Sequence, residues 1–441
     1  MRTIFKSLCL TISFLFIFSI NASAANRYFK ATGTVWNSAS SWSATSSAGV
    51  DNAGIPTTAD IAIFDSASGS CSINVAVSCA GININSGYTG VITQGAFTVT
   101  VGASAYIQSS GSFVGSSSAK TINGAFTLLG GSFNGSTSAM TVTGVFTLSG
   151  GTFTSTTGIL TLASTNAISA GVFVPNNGTV TLTATAVTIV SGNFYNLILN
   201  NSTQILTVTN NLIVNNTLTT SALATINGSP IEARGNIVFS DTSWNGTSKI
   251  IVNGTGTQTN TGAGVCGVML DINKASGAFN LGATLTLLGT AVDLNLVAGT
   301  VNAGAFNMTL PRNLVKTAGV LNTGTGTISF TGAAVTIVDG NFYNLTLNNA
   351  SQILTVTNNL IVNNILTTTA LATINGSPIE ARGNIVFTDT SWNGTSKIVA
   401  TGSSIAGAGV CGVSLDINSN FMTLNGNLTL AGSTSDLSIL G

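Results

Sequence analysis

The residues that could carry acid–base chemistry are few and spread along the chain. Twelve Asp and Glu occur in 441 residues without any Asp-Asp, Asp-x-Asp or Glu-Asp pair, and histidine is absent. Glycoside hydrolysis requires two carboxylates facing one cleft, and a calcium site requires several oxygen ligands. The spacing supplies neither, so we expect no enzyme, no bound metal and no cofactor. A polysaccharide-degrading enzyme is the alternative, because acids distant in sequence can converge in a fold.

The most regular acid–base pair is Glu232 with Arg234, which recurs as Glu380 with Arg382. Residues i and i+2 of a strand lie on the same face, so each pair could form a repeated polar spot. The simpler interpretation is an exposed salt bridge, whose contribution to stability is small. We favour the salt bridge.

Two loops combine an aromatic ring with polar neighbours. Trp244 and Asn245 stand in Asp-Thr-Ser-Trp-Asn-Gly-Thr-Ser, and Trp392 and Asn393 stand in an identical copy. Asn-Gly is typical of a surface turn, where an exposed Trp could stack on a sugar ring. These four residues are therefore the candidate glycan contacts of the chain. The alternative, which we favour, is a Trp ring folded back over the protein.

The N-terminus has the features of an export signal. Two basic residues precede an apolar stretch from 8 to 20, and residues 22–24 read Ala-Ser-Ala, which is typical of a cleavage site. We expect residues 1–24 to be a signal peptide and the mature protein to be secreted or held on the outer cell surface. No other apolar run is long enough to span a membrane, so we expect no transmembrane helix in the mature chain.

Four cysteines follow the predicted signal peptide. Cys71 and Cys79 lie close together in the sequence, and in an exported chain a disulfide between them is as well supported as two free thiols. Cys266 and Cys411 occupy equivalent Gly-Val-Cys-Gly-Val segments. We predict that these two are buried apolar side chains.

The composition narrows the function classes. Charged residues make up 5% of the chain and balance to zero, which excludes the basic surface of a nucleic-acid-binding protein. Hydrophobic residues make up 44%, which is too many for a disordered chain. They alternate with Thr, Ser and Asn, and this alternation predicts half-buried strands.

Threonines recur in Thr-x-Thr segments at 98–100, 141–143, 207–209, 284–286 and 355–357. A regular threonine array on a flat face could bind ice. The high strand propensity of Thr explains the pattern more simply, and the segments are unevenly spaced along the chain. Ice binding is therefore a further alternative function.

A short period organises these strands. Gly-x-Phe recurs every twenty residues, ending at Phe113, Phe133, Phe153 and Phe173, and then slips by one residue to Phe194. A unit of twenty residues cannot bury a core alone, so neighbouring units must stack. We therefore predict an all-β chain, a right-handed parallel β-helix with about 20 residues per coil.

A longer duplication lies over the short period. The stretch 186–249 returns almost unchanged as 334–397, and the long repeated units span about 151–298 and 299–441. Residues 91–441 are thus predicted to form the β-helix repeats. Residues 25–90 differ in composition, and we assign them to an N-terminal cap and the first coils, because an exposed first edge would promote aggregation. Trp36 and Trp42 are predicted to pack inside this cap.

The head motif, Trp-Asn-x-x-x-x-Trp-Ser followed by Pro-Thr-x-x-Asp-x-Ala-x-Phe-Asp, precedes coils that read Asn-Leu-x-Leu-Asn-Asn and Leu-x-Val-Asn-Asn-x-Leu. In these motifs the chain resembles the β-strand-repeat surface proteins secreted by Bacteroidetes-type bacteria. The resemblance implies a parallel β-helix stalk, often adhesin-like, that is exported and then attached to the cell surface. Such proteins often end in a sorting domain, and we find none here. Either the far end of the solenoid is uncapped or the sequence is a fragment of a longer protein, and we favour the fragment.

Together these features predict a non-catalytic structural or adhesin-like protein. Its repetitive stalk would contact a surface, a glycan or a matrix component. The partner is not identified by the sequence; a polysaccharide is one candidate, and nucleic acid is not expected. A carbohydrate-binding protein or a β-helix polysaccharide-degrading enzyme remains the alternative.

Overall fold

The chain winds into a parallel β-solenoid of about 19 turns, with equivalent positions roughly 20 residues apart. The computed structural model describes residues 24–432 and 435–440. The predicted parallel β-helix is thereby confirmed. The predicted signal peptide lies outside the described residues except for Ala24, so export and the proposed domain bounds stay predictions. Among the described residues, no helix is long and apolar enough to cross a membrane.

The strands are short in the first half of the chain and longer where two walls of a coil run together. One 3₁₀ turn, Ala39–Ser41, lies near the N-terminus. The first twenty strands are Ala25–Phe29 (β1), Trp42–Ser43 (β2), Asp60–Phe64 (β3), Cys71–Ile73 (β4), Val77–Cys79 (β5), Gly81–Ile84 (β6), Val91–Gln94 (β7), Val99–Val101 (β8), Tyr106–Gln108 (β9), Ser112–Val114 (β10), Lys120–Ile122 (β11), Phe126–Leu128 (β12), Ser132–Asn134 (β13), Met140–Val142 (β14), Phe146–Leu148 (β15), Thr152–Thr154 (β16), Ile159–Leu162 (β17), Asn166–Ile168 (β18), Val172–Val174 (β19) and Thr179–Leu182 (β20).

The two long repeats contain the remaining strands. Those before the second copy of the duplicated stretch are Ala186–Asn200 (β21), Ile205–Ala222 (β22), Thr225–Gly228 (β23), Ile231–Ala233 (β24), Asn236–Phe239 (β25), Asn245–Gly246 (β26), Lys249–Val252 (β27), Gln258–Asn260 (β28), Val265–Cys266 (β29), Met269–Leu281 (β30), Leu285–Leu287 (β31), Val292–Asn302 (β32), Met308–Leu310 (β33), Asn313–Lys316 (β34), Val320–Asn322 (β35) and Thr327–Phe330 (β36). The last are Ala334–Ile337 (β37), Gly340–Asn348 (β38), Ile353–Val356 (β39), Leu360–Ala370 (β40), Thr373–Gly376 (β41), Ile379–Ala381 (β42), Asn384–Phe387 (β43), Asn393–Gly394 (β44), Lys397–Ala400 (β45), Ser404–Ala406 (β46), Val410–Cys411 (β47), Ser414–Ile417 (β48), Thr423–Asn425 (β49), Thr429–Leu430 (β50) and Leu437–Ile439 (β51).

Each coil of the first half has three walls. Wall one contains β8, β11, β14, β17 and β20, wall two contains β9, β12, β15 and β18, and wall three is a six-stranded sheet of β4, β7, β10, β13, β16 and β19. Apart from β1 with β2, all the pairings of named strands in the described chain are parallel. The twenty-residue step sets the register, because Phe113 pairs with Phe133 and Phe133 with Phe153.

Strand alternation directs two columns of side chains inward on walls one and two and one column on wall three. Phe113, Phe133 and Phe153 stack face to face on wall three, with centroid separations of 4.8 and 5.2 Å. Tyr106 and Phe126 stack in the same way on wall two at 5.0 Å. The two columns meet edge to face at the centre of the coil. Such contacts add to the burial of apolar area, so the aromatic columns stabilise the first half of the solenoid.

A cluster of large aromatic side chains fills the N-terminal end. Trp36 and Trp42 are buried, their rings lie 4.9 Å apart, and the Trp42 indole N–H donates to the Trp36 carbonyl oxygen. Phe29 and Phe64 pack against Trp42. The predicted packing role of both tryptophans is confirmed.

Two lysines lie inside the solenoid, each beside a buried glutamine. Lys120 Nζ donates to Gln94 Oε1 at 3.1 Å and to the Ser118 carbonyl oxygen at 2.9 Å. Lys274 Nζ donates to Gln258 Oε1 at 2.6 Å and to backbone carbonyls. In both places the glutamine oxygen also accepts a backbone N–H. Each ammonium is therefore solvated by the protein instead of by water.

The buried Lys120 should make the free energy of unfolding depend on pH in the alkaline range. Burial lowers its pKa to about 8 from 10.5. Between these two pH values Lys120 binds more protons in the unfolded chain than in the folded chain, so its contribution to the free energy of unfolding rises with pH, by at most about 1.4 kcal/mol per pH unit. Lys274, whose pKa burial also lowers, and the buried cysteines, whose pKa values burial raises, titrate in both wild type and Lys120→Met. Urea unfolding from about pH 7 to 10.5 should therefore show the rise as an increasing difference in free energy of unfolding between wild type and Lys120→Met.

A matched control is Lys397→Met, since the Lys397 side chain is 45% exposed. The difference in free energy of unfolding between this variant and the wild type should stay constant over the same pH range. Parallel stability curves for wild type and Lys120→Met would contradict the assignment to Lys120.

Candidate functional site

The two predicted glycan-contact loops place their tryptophan rings inside the protein. Trp244 is 3% exposed and Trp392 is 4% exposed. Their indole N–H groups donate to the carbonyl oxygens of Val265 and Val410, one coil further on. This arrangement corrects the sugar-stacking interpretation and agrees with the favoured alternative of a folded-back ring. Of the four candidate residues, only Asn245 and Asn393 are exposed.

The cysteines are all buried free thiols in the described chain. Cys71 lies on wall three in β4, whereas Cys79 lies in β5, which pairs with β8 of wall one. Of the two predicted alternatives, a disulfide and two free thiols, the structure contains the free thiols. Burial raises the pKa of the Cys79 thiol to about 12. Cys266 and Cys411 are fully buried, as predicted.

The carboxylates form ion pairs and hydrogen bonds within the chain. Lys249 Nζ, for example, lies 2.6 Å from Asp271 Oδ2 in the following coil, and Leu223 N donates to Asp241 Oδ2 at 2.5 Å. Eleven of the twelve acidic residues have such a partner: Asp51, Asp60, Asp65, Glu232, Asp241, Asp271, Asp293, Asp339, Glu380, Asp389 and Asp416. The described residues contain no group of three or more His, Cys, Asp or Glu side chains that could hold a metal ion.

The Glu–Arg pairs form the predicted salt bridges. Arg234 lies 3.0 Å from Glu232, and Arg382 lies 2.7 Å from Glu380, with both arginine side chains nearly half exposed. Their solvent exposure keeps the energetic contribution small.

Asp293 is the carboxylate with the most perturbed environment. Burial raises its pKa to about 6, although hydrogen bonds oppose this rise. A raised pKa can mark a general acid. Both oxygens of Asp293, however, accept backbone N–H groups, from Gly289 at 2.7 Å and Arg312 at 2.5 Å, and the residue is fully buried. Its position suits a corner of the coil better than contact with a substrate.

Threonines line up on the outer face of walls one and two. The parallel register places Thr100, Thr121, Thr141, Thr161 and Thr181 in one column. A second column contains Thr127 and Thr147, is interrupted by Ala167, and continues at Thr188 and Thr207. Strand register thus places Thr100, Thr141 and Thr207 of the Thr-x-Thr segments in these columns. Thr286 and Thr355 pair elsewhere, with Thr309 and Thr336 among their partners.

In each long repeat of the described chain, one wall of the solenoid opens between two coils. The opening lies in wall three at the first position and in the sheet that continues wall one at the second. In the described chain, no backbone pairing joins β19 to residues 192–194 of β21, although both flanking walls stay paired. The same gap separates β35 from residues 340–342 of β38. We call these gaps the first split and the second split. They lie 148 residues apart, at corresponding positions of the two long repeats.

Each split is a groove between neighbouring coils. The first has a volume of about 260 Å³ and the second about 520 Å³. Beside each split, an asparagine bridge joins the two paired coils that follow the gap, from Asn215 Nδ2 to Asn193 Oδ1 and from Asn363 Nδ2 to Asn341 Oδ1, each at 2.5 Å. The larger groove is of the size usual for small-ligand sites. It is the candidate functional site of this chain.

The second split contains an ion pair that the first lacks. Lys316 Nζ lies 2.8 Å from Asp339 Oδ2, and the side chains are 29% and 44% exposed. The equivalent residues of the first split are Ile168 and Ser191. No family model, curated protein or solved structure matches the chain. The likeness to Bacteroidetes-type surface proteins is therefore carried by the sequence motifs alone.

Sequence reasoning did not find the splits, yet the sequence contains two traces of them. The Gly-x-Phe period slips by one residue between Phe173 and Phe194, and the first split lies at this slip. The two long repeats also differ at two equivalent pairs of positions, 168 with 316 and 191 with 339. The other residues that line the two grooves are often identical. The replacement of Ile168 and Ser191 by the oppositely charged Lys316 and Asp339 is the sequence signal that could have revealed the second split.

Proposed function

We propose that the chain is an exported, non-catalytic rod that holds adhesive contacts away from a bacterial surface. About 19 coils stacked at about 4.8 Å give a rod about 90 Å long. The main support for the proposal is that most ionisable side chains form contacts within the protein. Eleven acids and two buried lysines serve contacts within and between coils, and Thr, Ser and Asn cover much of the outer face.

A bacterial strain that naturally produces the protein allows a direct test. Surface exposure is tested by protease treatment of whole cells, and attachment is tested in flow cells with wild-type, deletion and complemented strains. We expect external protease to remove the protein and the deletion to reduce attachment severalfold. Complementation with a chain lacking residues 1–24 should leave attachment low. Equal attachment by wild-type and deletion strains would refute the adhesive role.

The enzyme alternative makes a separate prediction about products. Incubation of the purified chain with a polysaccharide panel would release unsaturated or reducing sugars from a lyase or glycosidase. The proposed rod should retain a bound polysaccharide without releasing such products.

The threonine columns favour ice binding as a second candidate function. Thr100, Thr121, Thr141, Thr161 and Thr181 form an outward-facing row of half-buried hydroxyl and methyl groups on a regular sheet. An ice-binding face would give thermal hysteresis that is abolished by Thr141→Tyr, because a bulky ring disrupts the flat row. Absence of thermal hysteresis in the wild-type protein would dismiss this candidate.

A further inference from the structure

The two splits share one backbone design but differ in chemistry. Their common parts are a glycine, an asparagine bridge and an isoleucine on the following coil, at Gly192 and Ile213 in the first and Gly340 and Ile361 in the second. Lys316 and Asp339 are confined to the second. The first split is therefore a built-in control for the second.

The polar side of the second split offers donors and acceptors close together. Lys316 uses one N–H on Asp339 Oδ2, while its other two N–H groups and Asp339 Oδ1 have no partner among the described residues. In the same region, Asn341 Nδ2 and Asn363 Oδ1 are also unused by described residues. Such a mixed set matches hydroxyl groups, since each hydroxyl both donates and accepts.

The groove is also lined by apolar side chains. Val320 is 47% exposed, and Leu321 lies beside it partly buried. Tyr343 adds an aromatic ring to the lining. Aliphatic and aromatic side chains of this kind can cover the C–H face of a sugar ring.

Two other ligand classes fit less well. The Lys316–Asp339 pair neutralises itself, so a strongly charged ligand would gain little from it. An added peptide strand would need the free backbone N–H groups of the split. The N–H of Tyr343 is already taken by Thr323 Oγ1 at 2.9 Å, which removes one of these positions.

We propose that the second split is a binding site for a neutral saccharide unit of a polysaccharide. The apolar face of the sugar ring packs on Val320 and Tyr343, and neighbouring hydroxyls bridge Lys316 and Asp339. This inference deepens the proposed function, on which it rests, by naming the chemical class that the rod contacts. The first split, which has Ile168 and Ser191 in place of the ion pair, does not bind such a ligand.

Affinity electrophoresis with the mature chain, residues 25–441, tests the site. The gels contain a neutral glucan, mannan or galactan, or polygalacturonate as the charged comparison. We expect at least one neutral polysaccharide to retard the wild-type protein. Lys316→Ile with Asp339→Ser converts the second split into the chemistry of the first, and we expect its dissociation constant to rise about tenfold or more. The partly exposed pair contributes little to folding, so the circular dichroism spectrum and the melting temperature should stay unchanged.

The reverse exchange provides a gain-of-function arm. Ile168→Lys with Ser191→Asp should strengthen retardation, because it creates a second site on the same rod. The proposal is overturned if no neutral polysaccharide retards the wild type, if polygalacturonate alone does, or if the Lys316→Ile/Asp339→Ser variant binds as well as the wild type. Solution binding requires neither export nor attachment, so loss of adhesion and loss of saccharide binding are separate results.

Discussion

Replacing Phe133 with alanine should lower the free energy of unfolding by about 3–5 kcal/mol. The Phe133 ring is stacked between Phe113 and Phe153, at 4.8 and 5.2 Å, and meets Phe126 edge to face. Alanine would leave a cavity between three coils, and a stacked column cannot close it without breaking register. Urea unfolding followed by circular dichroism measures the loss.

The control for this prediction is Phe97→Ala, which removes the same side chain from a site 39% exposed. Its cost should be a small fraction of the cost at Phe133. Because coils of a solenoid can unfold in part, hydrogen exchange should locate the loosened region around β10, β13 and β16. Equal destabilisation by the two variants would mean that stacking in the core does not determine the stability of these coils.

Gly131→Ala should destabilise the protein by more than about 3 kcal/mol, through backbone strain and a steric clash. Gly131 has a φ of +75°, and it stands in a column with Gly111 and Gly151, whose φ values are also positive. A Cβ at Gly131 would lie 2.3 Å from the Gly111 carbonyl oxygen of the preceding coil. The corner would have to move, and each neighbouring corner would have to move with it.

Variants at two further glycines distinguish the cost of backbone strain from the cost of the steric clash. Gly54 has a φ of +77° but no atom within 4 Å of an added Cβ, so Gly54→Ala should show the strain alone, about 1–2 kcal/mol. Gly256 has neither constraint, and Gly256→Ala should be close to neutral. Thermal and urea unfolding of the three variants should give this order. A Gly131→Ala protein as stable as Gly54→Ala would show that the corner tolerates a side chain.

The coil was predictable from the sequence because the glycines of the corners and the inward phenylalanines recur together at one spacing. Gly-x-Phe fixes both the corner and the inward ring, and the observed pairing of Phe113 with Phe133 follows from the twenty-residue spacing. Register was harder to predict where the spacing drifts. The threonines of walls one and two looked irregular along the chain, but parallel pairing aligns Thr141 with both Thr121 and Thr161.

In the tryptophan loops the coil structure overrides the local turn preference of Asn-Gly. Asn-Gly usually marks an exposed turn. Here Asn245–Gly246 is a short strand paired with Thr225 and Ile226 of the preceding coil, and this pairing accompanies the inward position of Trp244. Sequence alone does not reveal such a contact, since it depends on which coil lies beneath the loop.

Buried polar side chains were also beyond the sequence pattern. Lys120 stands in an inward column between Val99 and Met140, where a charged residue would ordinarily be placed outside. Its acceptors come from residues 94 to 138, spread over successive coils. Only the stacked structure brings these acceptors to one point.

The splits also have a mechanical consequence. Tension along the axis of a solenoid is carried by the bonds that cross from one coil to the next, and most of the first-half coils are joined along three walls. At each split one of the walls lacks this backbone pairing. A rod pulled by a moving fluid should therefore yield first at those two cross-sections, so that stretching would widen the groove that contains Lys316 and Asp339 before it damages the aromatic core.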